Sequence, residues 1–259
     1  MPTSCRNLTQ CLDSFSDTSL SHPCNPKHLS PHTQTLMPLT ILYEDNHLLV
    51  VRKPIGVLSQ GDHTGDPNLL DLGKAYLKDK YQKPGNVFLG LVQRLDRPVS
   101  GVMVFARTSK GAARLSEQIR NRTIQKQYWA LAEGKLPKSG HLEHQIAHRQ
   151  SKSRIVEPPE GQHAKLSYQC LDYKNNISWL EIQLNTGRHH QIRIQFSHIG
   201  HPLIGDYKYG SRKPYPDRSF ALHAQSLTFT HPTTQEILTF TADPDPHWFT
   251  ICGTQKPLR

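Results

Sequence analysis

The chain lacks the long apolar runs and the cysteine spacings that define several protein classes. No apolar run in its 259 residues approaches the roughly 18 residues of a membrane span, and no secretory apolar core opens the chain. Its five cysteines form no Cys-x-x-Cys pair, and three of them lie within the first 37 residues. The sequence therefore predicts an intracellular, cytoplasmic protein without a disulfide framework, a zinc site or a membrane partner.

The sixteen histidines do not form a metal-binding pattern. His144 and His148 are four residues apart, but the segment between them, Gln145-Ile146-Ala147, lacks the glutamate of the zinc-protease motif. Ser59 and Asp62-His63 supply the residue types of a hydrolase triad without the nucleophile elbow that such a triad requires. We therefore expect neither a metal site nor a cofactor.

Positive charge is concentrated in one part of the chain. The formal net charge is +10, and residues 1–37 contribute none of it. The segment from Arg94 to Tyr128 has eight lysines and arginines against two acids, which gives it a net charge of +6. Such a basic surface is typical of proteins that bind nucleic acid, because phosphate neutralisation supplies most sequence-independent affinity. The alternative is a basic protein with a solvated helix face.

The composition divides the chain into two parts. Residues 1–36 contain eleven serines and threonines and four prolines without apolar periodicity, which predicts a disordered segment over 1–37. Met37 stands just before the first strand-like residues, which suggests the hypothesis that translation begins there. Residues 38–259 are expected to form one domain without internal repeats, so substrate choice should come from that domain itself.

The periodicity of the body predicts an α+β fold on a central, largely antiparallel, mixed sheet with flanking helices. A hairpin is expected around Asp45-Asn46. One helix should begin at Asp66-Pro67, with Asp66 as N-cap, and a second near Ser109. The remaining strands are predicted at 126–132, 163–172, 177–185, 219–224, 226–230 and 236–240.

The segment Gln93-Arg94-Leu95-Asp96-Arg97 places one carboxylate between two arginines. The apolar runs at 88–92 and 102–106 are typical of buried strands, so Asp96 should lie in a loop between them. Nearby positive charge favours an ionised carboxylate, which can act as a nucleophile or a substrate anchor. The alternative is an aspartate that caps a turn between solvated arginines, and only its surroundings can decide.

Lys126 and Tyr128 should share one face of a strand, opposite Gln127, Trp129 and Leu131. A tyrosine ring can stack on a nucleobase, and its hydroxyl can donate a hydrogen bond or exchange a proton. The alternative is an ordinary core aromatic.

A third cluster, at 186–193, introduces a short helix. Ile192, Phe196 and Ile199 recur at helical spacing, so the helix should begin close to His189 and end at Gly200. A helix N-terminus accommodates a phosphate, for which the donors would be Arg188, His189, His190 and Gln191. The alternative is an ordinary polar helix start. Arg193 would need an anionic partner if buried, and Asp96 is the candidate.

These clusters together resemble the motifs of the RluA-type RNA pseudouridine synthases, and the match runs in the family's order from about Leu39 to about Thr241. The matching segments are Lys53-Pro54-x-Gly56, Arg94-Leu95-Asp96 with Ser100-Gly101, Lys126-x-Tyr128-x-Ala130-Leu131, Thr186-Gly187-Arg188-x-His190-Gln191-Ile192-Arg193, and Gly200-His201-Pro202-Leu203-Ile204-Gly205-Asp206. Two positions depart from the commonest form, since Gln93 replaces the usual His, and Pro98-Val99 stands where Thr is usual. Neither departure touches the aspartate.

The resemblance implies that a uridine in tRNA or rRNA is detached from its ribose, turned and rejoined through carbon 5, without a metal or redox cofactor. It implies that Asp96 is catalytic, that Arg193 positions it and that Tyr128 stacks on the base. Arg94 would enter the RNA and hold the flipped base out of its stack. The other expected RNA contacts are Arg97, Lys53, Lys126, Arg188, His190 and Gln191.

Two other functions compete with this interpretation. A non-catalytic RNA-binding protein or RNA-folding chaperone would need the basic surface but not Asp96, Tyr128 and Arg193 together. A metal-dependent hydrolase would need ligands that the sequence does not offer. We expect a monomer with RNA as its partner, while the sequence does not discriminate tRNA from ribosomal RNA.

Overall fold

A mixed β-sheet organises residues 39–253, the part of the chain that this computed structural model describes. The strands are β1 (Thr40–Glu44), β2 (Leu48–Lys53), β3 (Gly90–Leu91), β4 (Ser100–Ala106), β5 (Gln125–Glu133), β6 (Ser139–Arg149), β7 (Lys152–Val156), β8 (Gln162–Lys174), β9 (Ile177–Leu184), β10 (Leu222–Thr230) and β11 (Ile237–Thr241). The helices are α1 (Leu69–Lys80), α2 (Ser109–Arg120), α3 (Gln191–His198) and α4 (His247–Cys252). The predicted disordered segment 1–37 lies outside the described residues.

The strand order is β1-β2-β4-β10-β5-β9-β8-β6-β7, with β11 beside β10 and β3 beside β4. Within the described residues β4 and β10 form the one parallel pair, and the other neighbours are antiparallel. This confirms the predicted α+β fold on a largely antiparallel, mixed sheet.

The two faces of the sheet belong to different apolar cores. In β4, Met103 and Phe105 belong to the core that also contains residues of α1 and α3, whereas Val102 and Val104 belong to a second core with α2. A third cluster, on the same face as the second, surrounds Trp248 of α4. This alternation follows from the two-residue period of a strand. Tyr128 lies on the α1 and α3 face.

Short polar side chains fix the local starts of several elements. Asp45 accepts hydrogen bonds from the N–H groups of His47 and Leu48, which closes the predicted β1–β2 hairpin. The predicted start of α1 at Asp66-Pro67 is wrong, because the N-cap is Asn68, whose side chain accepts from the N–H of Asp71. Asp66 is instead paired with Arg97 at 2.7 Å.

Three strand predictions need correction. The run 88–92 forms a strand only at Gly90–Leu91, and Phe88 is 49% exposed. The predicted strands 219–224 and 226–230 are replaced by one strand, β10, which begins only at Leu222 and whose pairing with β5 is interrupted between Ala224 and Ser226. Strands β6 and β7 were not predicted, and His144 and His148 lie on β6.

Candidate active site

The loop between β3 and β4 holds Asp96 rigidly through its backbone. Each carbonyl from residue 95 to residue 99 accepts a hydrogen bond. The donors are Ser59 Oγ to Leu95, the N–H of Val99 to Asp96, the N–H of Gly56 and Lys53 Nζ to Arg97, Ser219 Oγ to Pro98, and Lys53 Nζ to Val99. Because the backbone polar groups are satisfied from several elements, the carboxylate has a fixed origin.

Lys53 has a structural place that differs from its predicted RNA contact. Its side chain is fully buried, and Nζ donates to the carbonyls of Pro54 at 3.1 Å, Arg97 at 3.0 Å and Val99 at 2.6 Å. Burial lowers the pKa of Lys53 to about 7, an effect that Asp96 opposes. The three carbonyl acceptors match the three hydrogens of an ammonium group. A buried ammonium cannot reach RNA, so this residue organises the Asp96 loop.

Arg193 pairs with two carboxylates, of which only one was predicted. Its Nε and Nη2 atoms lie 2.6 Å and 2.8 Å from the two oxygens of Asp206, while Nη1 lies 3.4 Å from Asp96 Oδ2. Asp206 is 1% exposed, so the buried arginine is neutralised mainly by Asp206 and not by Asp96. Because Arg193 pairs mainly with Asp206, the Asp96 carboxylate remains accessible from the cavity, with 37% of its side chain exposed.

Tyr128 and Lys126 project from β5 on the predicted face toward the same cavity. Burial raises the pKa of Tyr128 above its ordinary value of 10, and the charge of Asp96 raises it further. The phenol is therefore protonated at neutral pH. Burial also lowers the pKa of Lys126. Among the described residues no acid or hydrogen-bond acceptor pairs with the Lys126 ammonium, which lies close to Gly187.

The polar side chains at the start of α3 make several contacts within the protein. Gln191 is buried, and its side chain accepts from Thr186 Oγ1 and from the N–H of Arg188 while it donates to Lys165 O. His190 precedes the first helical residue and points toward Asp96. Their internal partners do not fit the predicted RNA contacts of Gln191 and His190.

Most of these side chains line one cavity of 640 Å³. Of the predicted site residues, its walls include Arg94, Asp96, Lys126, Tyr128, Arg188, His190, Gln191 and Arg193, whereas Lys53 and Arg97 lie outside them. Arg120 and Arg122 also line the cavity, and neither they nor Asp206 were among the predicted site residues. The one signal for Asp206 was its place in the resembling segment 200–206, and its pairing with Arg193 depends on the folded arrangement.

The sequence of the chain matches a known family of proteins. The family profile described as RNA pseudouridylate synthase matches residues 47–198, which include Asp96, Tyr128 and Arg193. The chain belongs to the RNA pseudouridylate synthase family. This family membership confirms the resemblance found in the sequence.

Two curated relatives show how far the similarity extends. The chain is 35% identical over 217 residues to the ribosomal large subunit pseudouridine synthase D of Nitrosomonas europaea, covering 80% of this chain and 62% of the relative. It is also 35% identical to an uncharacterized RNA pseudouridine synthase of Bacillus subtilis, covering 83% of this chain and 72% of the relative. The chain thus spans less than two thirds of the length of the first relative.

A solved human structure shares the family fold. The protein titled RNA Pseudouridylate Synthase Domain Containing 4 superposes with a TM-score of 0.71 at 24% identity, over 85% of this chain and 95% of that chain. Between residues 39 and 253, no helix is long and apolar enough to cross a membrane. Within that same range, no group of three or more His, Cys, Asp or Glu side chains is arranged to hold a metal ion.

Proposed function

We propose that this protein is an RNA pseudouridine synthase in which Asp96 is the catalytic residue. The main support for the proposal is the position of the Asp96 carboxylate. It lies at the cavity, on a loop whose backbone carbonyls all accept hydrogen bonds, and its Oδ2 atom is 3.4 Å from Arg193 Nη1. The site combines an accessible carboxylate, a fixed guanidinium and a protonated phenol. Isomerisation of uridine conserves its atoms and its oxidation state, so this chemistry requires no redox cofactor.

The proposed roles follow from the position of each group. Asp96 acts on the uridine so that the bond between base and ribose breaks, and the base rejoins through carbon 5. Tyr128 supplies a ring face for stacking and a hydroxyl that stays protonated next to Asp96. Arg193 fixes the direction of the carboxylate, and its own orientation is set by Asp206.

Cationic side chains at the cavity are the proposed RNA contacts. Lys126 has no acidic partner among the described residues, and a partly buried ammonium in that state favours an anion such as a phosphate. Arg94 is exposed beside Asp96, which suits a side chain that enters the RNA when the base is flipped out. Arg188 lines the cavity and remains a proposed RNA contact. Arg120 and Arg122 also line the cavity and add to its positive charge. Arg97 pairs with Asp66 and lies outside the cavity walls, so the RNA contact proposed for it is with a backbone phosphate.

The names of the relatives suggest the substrate. Several are ribosomal large subunit pseudouridine synthases, so we propose large-subunit ribosomal RNA as the first substrate to test, with tRNA as the other candidate. We further propose that the protein acts in the cytoplasm as a monomer.

Comparison of pseudouridine sites in cells with and without this gene tests the assignment. Chemical mapping of total RNA is expected to lose at least one site in the deleted strain, and re-expression of the full chain should restore it. The RNA that carries the lost site identifies the substrate. Identical maps in both strains would contradict an enzymatic role and favour the non-catalytic RNA-binding alternative.

A further inference from the structure

Two hydrogen bonds and a longer polar contact connect Ser153 to Asp96. The N–H of Ser153 donates to Tyr209 Oη at 2.9 Å, and Tyr209 Oη lies 2.8 Å from His190 Nδ1. The other ring nitrogen, His190 Nε2, lies 3.4 Å from Asp96 Oδ2. Four residues from β7, the 3₁₀ turn Tyr207–Tyr209, the start of α3 and the Asp96 loop are thus connected.

The two ends of this series of contacts favour one position for the single proton of a neutral His190 ring. Tyr209 Oη accepts from the N–H of Ser153, and its proton can be donated to His190 Nδ1 or to the Ser153 side chain. When the phenol donates to Nδ1, the proton of the neutral ring resides on Nε2. At the other end Asp96 is a carboxylate, which can only accept, so it also requires a proton on Nε2.

The surroundings of His190 keep its ring neutral. Its side chain is 8% exposed, and burial is the largest cause that lowers its pKa, to about 2. The groups whose positive charge opposes a second proton are Arg193 from α3, Lys208 from the 3₁₀ turn and, when they are protonated, the neighbouring imidazoles His189 and His148. A second proton on this ring would add a buried charge beside Arg193.

Both contacts with the catalytic carboxylate reach the same oxygen. His190 Nε2 and Arg193 Nη1 each lie 3.4 Å from Asp96 Oδ2. No described residue makes a hydrogen bond to Oδ1. A carboxylate held through one oxygen from two directions has a defined plane, and its other oxygen is available to a substrate.

We propose that His190 is a positioning residue, whose Nε2–H, fixed by Tyr209, holds Asp96 Oδ2 together with Arg193 so that Oδ1 faces the uridine. This inference rests on the proposed function of Asp96 and replaces the RNA contact expected for His190. The backbone conformation supports it. His190 has φ 53° and ψ 24° and makes no capping hydrogen bond, so the ring is free to reach Asp96.

Two amide variants distinguish positioning from a structural role. In His190→Gln the amide nitrogen can reach the place of Nε2, whereas in His190→Asn the shorter amide stays near the place of Nδ1. The left-handed backbone favours Asn over Gln, so a purely structural role predicts that Asn is tolerated better. A positioning role predicts the opposite order of kcat. The kcat of His190→Asn should be about 100-fold below that of wild type, and the kcat of His190→Gln should lie between those two values. The RNA affinity of both variants should be unchanged. Equal kcat values for the two variants, or a better Asn variant, would overturn the proposal.

The tautomer can be measured without turnover. In imidazole ¹⁵N NMR of the full chain, the signals that disappear in His190→Gln but persist in the exposed control His141→Gln belong to His190. They should show an Nε2–H tautomer that does not titrate between about pH 5 and pH 8. Tyr209→Phe should introduce the Nδ1–H form. An Nδ1–H ring in the wild type would refute the proposal, whereas absence of pseudouridine formation by wild type would refute only the enzymatic assignment.

Discussion

The guanidinium of Arg193 divides its donors between two carboxylates of unequal exposure. Asp206 takes the short bidentate contact inside the protein, and Asp96 receives one contact of 3.4 Å at the cavity. The arginine also stacks over the rings of Phe220 and Tyr209, at 4.2 Å and 4.9 Å from their centroids. Asp206 and the two rings therefore orient Arg193 without any contribution from Asp96. The single 3.4 Å contact leaves the Asp96 carboxylate accessible.

Removal of the Asp206 charge should destabilise the fold and impair catalysis together. In Asp206→Asn the buried Arg193 keeps its charge but loses its bidentate acceptor, so we expect the free energy of unfolding to fall by about 3 to 5 kcal/mol. Urea denaturation with an unchanged m-value measures this loss. A folded fraction of the variant should also form pseudouridine more slowly.

Glu160→Gln is the matched control, because it removes one charge from an ion pair whose partners are both 57% exposed. It should change the free energy of unfolding by about 1 kcal/mol or less. If both variants lose the same amount, Asp206 does not have the structural role assigned to it.

The proposed catalytic residues could be predicted from the sequence better than the residues that support them. Asp96 and Tyr128 lie at the cavity. Their positions depend on a loop and on strand alternation, and both of these can be predicted from the local sequence. Lys53 and Gln191 looked like RNA contacts because their types suit phosphate. A polar side chain turns inward when backbone carbonyls of distant segments need a donor. Those carbonyls come close to the side chain only after the chain has folded.

At the scale of elements, the parallel contact between β4 and β10 sets the position of the Asp96 loop. Ser100 and Gly101 pair with His223 and Ala224 where β4 begins, immediately after the loop. Gly101 has φ 126°, and a Cβ atom there would lie 2.2 Å from Ala224 O. Only glycine allows this approach.

Gly101→Ala should therefore be strongly destabilising. We expect the free energy of unfolding to fall by at least about 2 kcal/mol, because left-handed strain and a backbone clash act together. Gly85→Ala is the control, since a Cβ atom there has no neighbour within 4 Å. Thermal denaturation of both variants measures the difference, and a stable Gly101→Ala protein would show that the two strands can separate without cost.

The two strands that were not predicted, β6 and β7, contain few buried apolar residues. In β6 the buried apolar residues are Leu142 and Ile146, four positions apart, so the two-residue period of a strand is hidden. β7 is an edge strand with one fully buried position, Ser153. Apolar periodicity predicts half-buried strands well, and these two strands carry little of it.

At the scale of the whole molecule, buried histidines make stability depend on pH. His223 accepts from Ser100 Oγ at Nδ1 and donates from Nε2 to Ala242 O, and burial lowers its pKa to about 4. The unfolded chain binds a proton near pH 6.5, whereas the folded chain does not until about pH 4. The stabilisation is therefore complete above pH 6.5 and is lost as the pH falls toward 4.

Urea unfolding at several pH values should show this loss directly. We expect His223 to account for about 3 kcal/mol of the decrease in the free energy of unfolding between pH 6.5 and pH 4. The exposed His141 offers the control, because His141→Gln should leave the decrease unchanged. A wild-type stability that is constant over this range would contradict a neutral, buried His223.

The most direct test of the account compares wild type with Asp96→Asn on RNA from cells that lack this gene. Joining the base through carbon 5 displaces the hydrogen there, so RNA labelled with tritium at carbon 5 of uridine releases tritium on each turnover. Wild type and the exposed control Asp79→Asn should release tritium at equal rates. We predict that Asp96→Asn releases none above background while it binds the RNA with unchanged affinity. Tritium release by Asp96→Asn at a rate near that of wild type would show that Asp96 is not the catalytic residue.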